Sequence, residues 1–183
     1  MKNGQPASLT LRPLTADDLP IAIPWFDDPE TQHQLGGRNW LKNAVAMADA
    51  PLGKFRGATE TGRYRWLALD GDLPLGYIDC GAYDRWTTWD GERVVASIEV
   101  PCAAIAYVVD PAIRRRGYGR QILETLFEAP EVARVELFGA GEDPDNVASI
   151  RCLKAAGYVQ ENEEPDFEGV LYFLRRPHSV GNI

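Results

Sequence analysis

No stretch of the 183-residue chain stays apolar for the roughly 20 residues a membrane helix needs. Met1 to Leu14 has no positively charged flank leading into an apolar run. Neither a spanning segment nor a signal peptide is expected, and the chain reads as cytoplasmic. Histidine is almost missing: His33 and His178 stand far apart, leaving a zinc site or a serine–histidine triad little to be built from. Cysteine is scarce too. Cys80, Cys102 and Cys152 are odd in number and lack metal-type spacing, so they read as core filler in a reducing compartment, with no metal. Positive charge is in the minority. Nineteen basic against 27 acidic side chains leave a net charge of −8. Such a surface repels nucleic acid and anionic membranes and favours cationic small molecules. Repeats, linkers and low-complexity segments are also missing. Residues 1–183 therefore read as a single domain, with a tail from 177 to 183 expected to fray.

What is present is a mixed α/β pattern. Ser8 to Leu14 alternates as a first strand, and Thr15 with Asp18 has the spacing of a helix start. Pro20 fits an early helical turn, while Pro24 should kink or end the helix. Asn39 to Ala50 repeats apolar residues at helical spacing. Arg63 to Leu69 and Leu75 to Cys80 read as a hairpin about the turn Asp70-Gly71-Asp72. Asp84 to Gly91, polar and aromatic, reads as a loop. Val94 to Val100 and Ala103 to Val109 follow as strands broken by Pro101. Beyond Pro111 come a helix over Gly119 to Glu128, a strand over Val132 to Phe138 and a helix over Asn146 to Ala156. A strand from Tyr158 and another over Val170 to Arg175 close the sheet.

The chemistry concentrates between Val108 and Arg120. A strand ends in Asp110-Pro111, and a short loop holding Arg114, Arg115, Arg116, Gly117, Tyr118, Gly119 and Arg120 opens a helix. Glycine lets backbone N–H groups come close to a ligand, and the first turn of a helix offers unpaired N–H groups at its positive end. That combination binds phosphate. Four arginines in seven residues of an acidic chain add donors that stay protonated at any working pH. A Gly-X-Gly alone marks a solvated helix start as readily as a binding loop. A nucleotide P-loop would need Lys-Ser/Thr after its last glycine, and here Arg120-Gln121 follows.

This segment resembles the GCN5-related N-acetyltransferase (GNAT) superfamily, whose pyrophosphate loop Arg/Gln-X-X-Gly-X-Gly/Ala is matched by Arg114, Gly117 and Gly119. The superfamily's second signature, an Asn-headed helix ending in Gly-aromatic, is matched from Asn146 to Gly157-Tyr158. The likeness is strongest over 103–160. Leu11-Arg12-Pro13-Leu14-Thr15, Leu35-Gly36-Gly37, Leu75-Gly76-Tyr77 and Pro130-Glu131-Val132 are similar to the branch containing aminoglycoside N-acetyltransferases.

The resemblance implies a central, twisted mixed β-sheet with helices on both faces. It also implies acetyl transfer from acetyl-coenzyme A to a primary amine. Acceptors consistent with the branch are a small polyamine of aminoglycoside type, a protein N-terminus or another metabolite amine, and the molecule would work as a monomer or homodimer. A non-catalytic acyl-coenzyme A sensor is the rival of a different class. By the same resemblance, the backbones of Val108 and Val109 hold the pantetheine arm, and Arg114 to Arg120 wrap the pyrophosphate. Asn146 and Ser149 either touch the pantetheine or cap their own helix.

Two family residues are displaced. The strand before the loop reads Ala103-Ala104-Ile105-Ala106-Tyr107, without the carboxylate often used as general base. Glu99 is the nearest substitute and Asp79 the second, each readable as an ordinary surface acid. Leu153 stands where the helix tyrosine that serves as general acid is expected, and Tyr107 and Tyr118 are the alternatives. On the acceptor side, Asp79, Tyr83, Asp84, Trp86 and Trp89 interleave carboxylates with aromatics. That pattern suits a cationic amine, or else a hairpin with core-facing tryptophans.

Overall fold

The computed structural model describes residues 9–177; Ser8 and the 178–183 tail lie outside that range. An eight-stranded mixed sheet runs through the molecule. Its strands are β1 (Leu9–Pro13), β2 (Lys54–Phe55), β3 (Ala58–Asp70), β4 (Leu73–Tyr83), β7 (Cys102–Val109), β8 (Leu137–Glu142), β9 (Val159–Gln160) and β10 (Leu171–Arg175). The order is β1-β3-β4-β7-β8-β10-β9, with β2 on β3. All pairings are antiparallel except β7 with β8. That parallel pair is joined through α4 (Tyr118–Leu126), the crossover that parallel strands require.

Helices cover both faces. On one side α4 and α5 (Val147–Ala155) press Ile122, Leu123, Leu126 and Leu153 onto Trp66, Ile78, Ala103 and Phe138, all buried. On the other, α1 (Leu19–Phe26), α2 (Pro29–Leu35) and α3 (Trp40–Ala46) gather Ala22, Trp25, Phe26 and Leu41 against Leu67, Tyr77 and Val108. The Phe26 and Tyr77 rings meet edge to face at 5.6 Å. Burial of such rings is worth about 2–3 kcal/mol each.

Local chemistry sets the helix ends. Pro20 lies in the first turn of α1, where its missing N–H costs nothing, and the helix stops two residues after Pro24. Asp28 caps α2 by accepting from the Thr31 N–H at 3.0 Å, and Gly36 closes it at φ 74°. Among the described residues, no helix is long and apolar enough to cross a membrane.

Two expectations are corrected. Asp84 to Gly91 is not all loop: β5 (Trp86–Trp89) pairs with β6 (Val94–Ile98) as a separate hairpin. Its tryptophans and threonines are strand formers whose polar flanks concealed the pattern. The strand expected over Val132 to Phe138 starts only at Leu137. Pro130–Val132 is a 3-10 turn that buries Val132. Gly139 and Gly141 lie inside β8 and hid its true extent.

The start of the chain is pinned by Asp18. Its carboxylate accepts from Arg12 Nη2 at 2.7 Å and Nη1 at 3.0 Å, and from the Thr15 N–H and hydroxyl at 2.8 Å each. The Arg12 bonds hold the Asp18 carboxyl down to about 2, against an ordinary 3.8. A depressed carboxyl stabilises the fold above its unfolded pKa and loses that contribution as pH falls through the folded one. Asp18→Asn should therefore lower Tm by roughly 3–6 °C at neutral pH. The gap from wild type should close between about pH 4 and pH 2 in thermal melts.

Candidate active site

Strands β7 and β8 pair only through Cys102–Leu137, Ala103–Phe138 and Ala104–Gly139. After Ala104 they part. Residues 105–109 keep β4 on one side, from Cys80–Ile105 to Gly76–Val109, and among the described residues have no strand on the other. The backbone of Tyr107, Val108 and Val109 thus borders an open edge, able to pair with an extended ligand as an added strand would. Val108 is buried at 5% exposure, and its side chain belongs to the core. The β4 side is closed tightly: a Cβ at Gly76 would lie 2.4 Å from the Val108 carbonyl oxygen.

The open edge leads into residues 114–120. Arg115 has φ 63° and Gly117 φ 85°, two left-handed residues that turn successive N–H groups to one side. The first bond within α4 runs from the Gln121 N–H to the Gly117 carbonyl at 3.3 Å, so the N–H groups of Tyr118, Gly119 and Arg120 are left without helical acceptors. A Cβ at Gly117 would find open space. Arg115, Arg116 and Arg120 are exposed around this turn, and Arg120 also reaches Glu124 at 2.8 Å. The set fits a diphosphate: open amides, the positive end of a helix and mobile guanidiniums.

Arg114 departs from the expected role. Its guanidinium is bonded to Asp28 at 2.9 Å, Glu30 at 2.8 Å and the Thr31 hydroxyl at 2.6 Å. Two carboxylates and a hydroxyl at the start of α2 engage the side chain, which ties the loop to that helix. On the far side, His33 of α2 contacts Asp145 at 3.1 Å, just ahead of α5.

Asn146 caps α5, its Oδ1 accepting from the Ser149 N–H at 3.2 Å while its Nδ2 donates to Glu142 at 2.7 Å. The Ser149 hydroxyl bonds Glu142 at 2.6 Å and Tyr107 at 2.8 Å. Both side chains are therefore taken up within the protein. Burial pushes the Glu142 carboxyl up to about 7. Leu153 is fully buried, so no hydroxyl faces the gap from that turn of α5.

The opposite face carries Asp79. It lies directly across from Ala106, and Ala104 across from Gly139, so these residues share one side of the sheet. The floor there is small: Gly81, Ala104, Ala106 and Gly139. Tyr83 folds over Gly81, its hydroxyl 3.0 Å and its ring 3.2 Å from where a Cβ would be, and Trp86 covers Gly139 with its ring 2.3 Å from that point. Trp86 also meets Tyr172 edge to face at 6.0 Å and has Glu161 beside its indole. Asp79 accepts from the Tyr77 hydroxyl at 2.8 Å. Desolvation in this setting raises its carboxyl to about 6, tempered by Tyr77, the Arg65 guanidinium and the Trp40 indole.

Glu99 is elsewhere. It precedes β7 by three residues and thus sits beyond the end away from the loop, past the about 23 Å that the strand spans from Cys102 to Val109 at 3.3 Å per residue. Its side chain is 61% exposed and paired with Arg85 at 2.8 Å. A base there cannot serve chemistry at the open edge. Asp84 bonds the Thr59 N–H at 2.7 Å and also pairs with Arg85, which gives it a structural role. Trp89 is half-buried on the β5–β6 hairpin. Glu142, Tyr77, Trp40 and Arg65 escaped the sequence reading. Only the raised carboxyl count of the 142–145 segment could have flagged the first of them.

An acetyl-group chemistry is what this architecture serves in known proteins. The family model for the acetyltransferase (GNAT) domain matches residues 8–159, and the chain belongs to that family. Among individual relatives, the uncharacterized N-acetyltransferase YfmK of Bacillus subtilis (strain 168) is 29% identical over 159 residues, covering 87% of this chain and 90% of that one. Similar folds include the aminoglycoside acetyltransferase AAC(6')-Ib in complex with coenzyme A, with TM-score 0.67 at 19% identity over 92% of this chain and 95% of that one. Spermidine N-acetyltransferase from Vibrio cholerae, in complex with CoA and spermine, has TM-score 0.64 at 12% identity over the same shares, 92% and 95%.

Gly117→Glu places bulk and negative charge in the turn at a φ that side chains resist. Calorimetry should show coenzyme A affinity reduced at least about 100-fold, with Tm lowered only by the roughly 2–4 °C that about 1 kcal/mol of backbone strain costs.

Proposed function

We propose that this enzyme transfers an acetyl group from acetyl-coenzyme A to a primary amine on a small cationic molecule, with Asp79 as general base. The observation that carries the reading is the position of Asp79: opposite Ala106, on the open stretch of β7, with a carboxyl raised to about 6. Acetyl-coenzyme A supplies the activated acyl carbon. The turn from Arg115 to Arg120 would hold its diphosphate, and the free edge of Val108 and Val109 its pantetheine arm, with a backbone N–H available to polarise the thioester carbonyl.

A free alkyl ammonium titrates near 10, so the amine arrives protonated and must lose a proton to attack. A carboxyl near the operating pH is ionised yet basic enough to take that proton. Tyr77 and Trp40 fix the orientation of Asp79, and Arg65 keeps it charged. The side chains around Asp79 favour a cation. Tyr83 and Trp86 place aromatic rings on that face of the sheet and Glu161 a carboxylate. The acidic chain as a whole draws cations in. A polyamine or aminoglycoside-like acceptor fits better than a bulky apolar one.

Asp79→Asn should lower kcat about 100-fold on the best amine of a polyamine, aminoglycoside and peptide panel, with the coenzyme A Kd unchanged by calorimetry. Glu99→Gln should stay within about twofold of wild type. Because the base must be ionised, wild-type kcat/KM should rise with pH through about 6, and the rise should be missing in Asp79→Asn. Undiminished kcat in Asp79→Asn removes the base assignment. Tight cofactor binding without turnover on any amine favours a sensor instead.

A further inference from the structure

On the helix side of the same gap, four residues from three elements form one hydrogen-bonded chain. Tyr107 comes from the open stretch of β7, Ser149 from the first turn of α5, Glu142 from the end of β8, and Asn146 from the cap between the last two. None of this is needed to hold α5, whose cap is complete once Asn146 accepts from Ser149. Tyr107 is wedged against the α4 entrance, with a ring carbon 3.4 Å from where a Cβ at Gly119 would sit. The Tyr107 hydroxyl also neighbours the Cys152 thiol of α5, so the chain lies between the loop that opens α4 and α5 itself.

The polarity of the chain follows from Asn146. With its Oδ1 committed to the Ser149 N–H, its Nδ2 must face Glu142 Oε2, which is thereby always an acceptor. Only Oε1 is free to gain or lose a proton, and Oε1 faces the Ser149 hydroxyl at 2.6 Å. When Glu142 is ionised, Ser149 must donate to it and accept from Tyr107, so the Tyr107 proton points away from the gap. When Glu142 is protonated, it donates to Ser149, Ser149 donates to Tyr107, and the Tyr107 hydroxyl is released to donate onward. The 2.8 Å contact between Tyr107 and Ser149 is compatible with either direction.

We infer that Tyr107 is the general acid of this enzyme and that Ser149 and Glu142 are positioning residues that set and refill its proton. Acyl transfer forms the amide C–N bond and breaks the thioester C–S bond, leaving a thiolate short of one proton. Tyr107 gives its proton to the sulfur and takes one from Ser149. Ser149 takes one from Glu142, and solvent returns one to Glu142. No further reactant is needed. The inference rests on acyl transfer at this gap and not on Asp79 as base.

The charged and titratable groups facing Glu142 are Asp143 on its own segment, Tyr107 on β7 and Cys152 on α5, with Arg120 and Glu124 of α4 acting on Cys152. Desolvation and Asp143 both keep Glu142 protonated, against Ser149 and Asn146, and its midpoint stands at about 7.

The test begins without ligand. Carbon-13 titration of the free protein should show the Glu142 carboxyl moving near pH 7, with the Tyr107 ring carbon bearing oxygen following the same midpoint. In Ser149→Ala the Tyr107 signal should stop following while Glu142 still titrates. A Tyr107 signal that stays flat through the wild-type Glu142 titration, or a Glu142 midpoint near the ordinary 4.5, overturns the relay whether or not the protein acetylates anything. With turnover, Tyr107→Phe and Ser149→Ala should each lower kcat about tenfold with the coenzyme A Kd unchanged. Glu142→Gln, whose amide N–H donates to Ser149 but has no proton to give up, should keep the donor direction, lower kcat about tenfold and lose the decline in kcat above neutral pH. A Glu142→Gln profile that keeps this alkaline limb, or a fully active Tyr107→Phe, also overturns it.

Discussion

Three parallel pairs hold β7 to β8, and then the two strands separate, leaving β7 supported by β4 alone. A sheet normally cannot tolerate an open edge in its middle, because each unpaired backbone group there forfeits a hydrogen bond. Here the edge is flanked by helix α4 on one side, α5 on the other and the α1–α3 layer beneath. Those elements shape the opening into a slot that an extended ligand can fill. Every other feature of the site is placed relative to that slot. The turn over residues 114–120 lies at its mouth, the Tyr107 chain on one wall and Asp79 on the other.

The two walls treat carboxylates alike in direction and differently in partners. Asp79 and Glu142 are both raised by desolvation, to about 6 and about 7. Asp79 has a guanidinium near it and shares its face of the sheet with Tyr83 and Trp86; Glu142 has another acid, Asp143, nearby and faces inward through two hydroxyls. Separate environments of this kind let one fold hold two raised carboxyls on opposite faces of the sheet, as the proposed roles of base and acid source require. Arginine is divided in the same way. Arg114 is spent on Asp28 and Glu30, tying the loop to α2, while Arg115 and Arg116 stay exposed. Helix α2 in turn touches Asp145 through His33, so it spans both sides of the slot.

Much of this was legible in the chain. The turn around Gly117 and Gly119 and the helix headed by Asn146 are local: backbone conformation, capping and helix polarity depend on residues a few positions apart. Hairpin β3–β4 was legible for the same reason, with alternation on both sides of Asp70-Gly71-Asp72. Strand β8 was not, since Gly139 and Gly141 depress strand character. What recommends glycine at 139 is the ring of Trp86, a residue more than 50 positions away that rests on that face. Hairpin β5–β6 was half seen, its first strand mistaken for a loop.

From residues alone came the class of protein, the glycine turn before α4 and the absence of a carboxylate from the strand ahead of it. Tertiary structure placed the residue proposed to stand in for that carboxylate. Proximity along the chain favoured Glu99, but β7 carries it to the wrong end, whereas the antiparallel register of β4 brings Asp79 level with Ala106. Glu142 gained its meaning from the turn that sets α5 against β8, and Arg114 lost its expected one to α2. Side-chain roles of this kind depend on which strands and helices meet and on how much water remains between them, and neither is written in the spacing of a sequence.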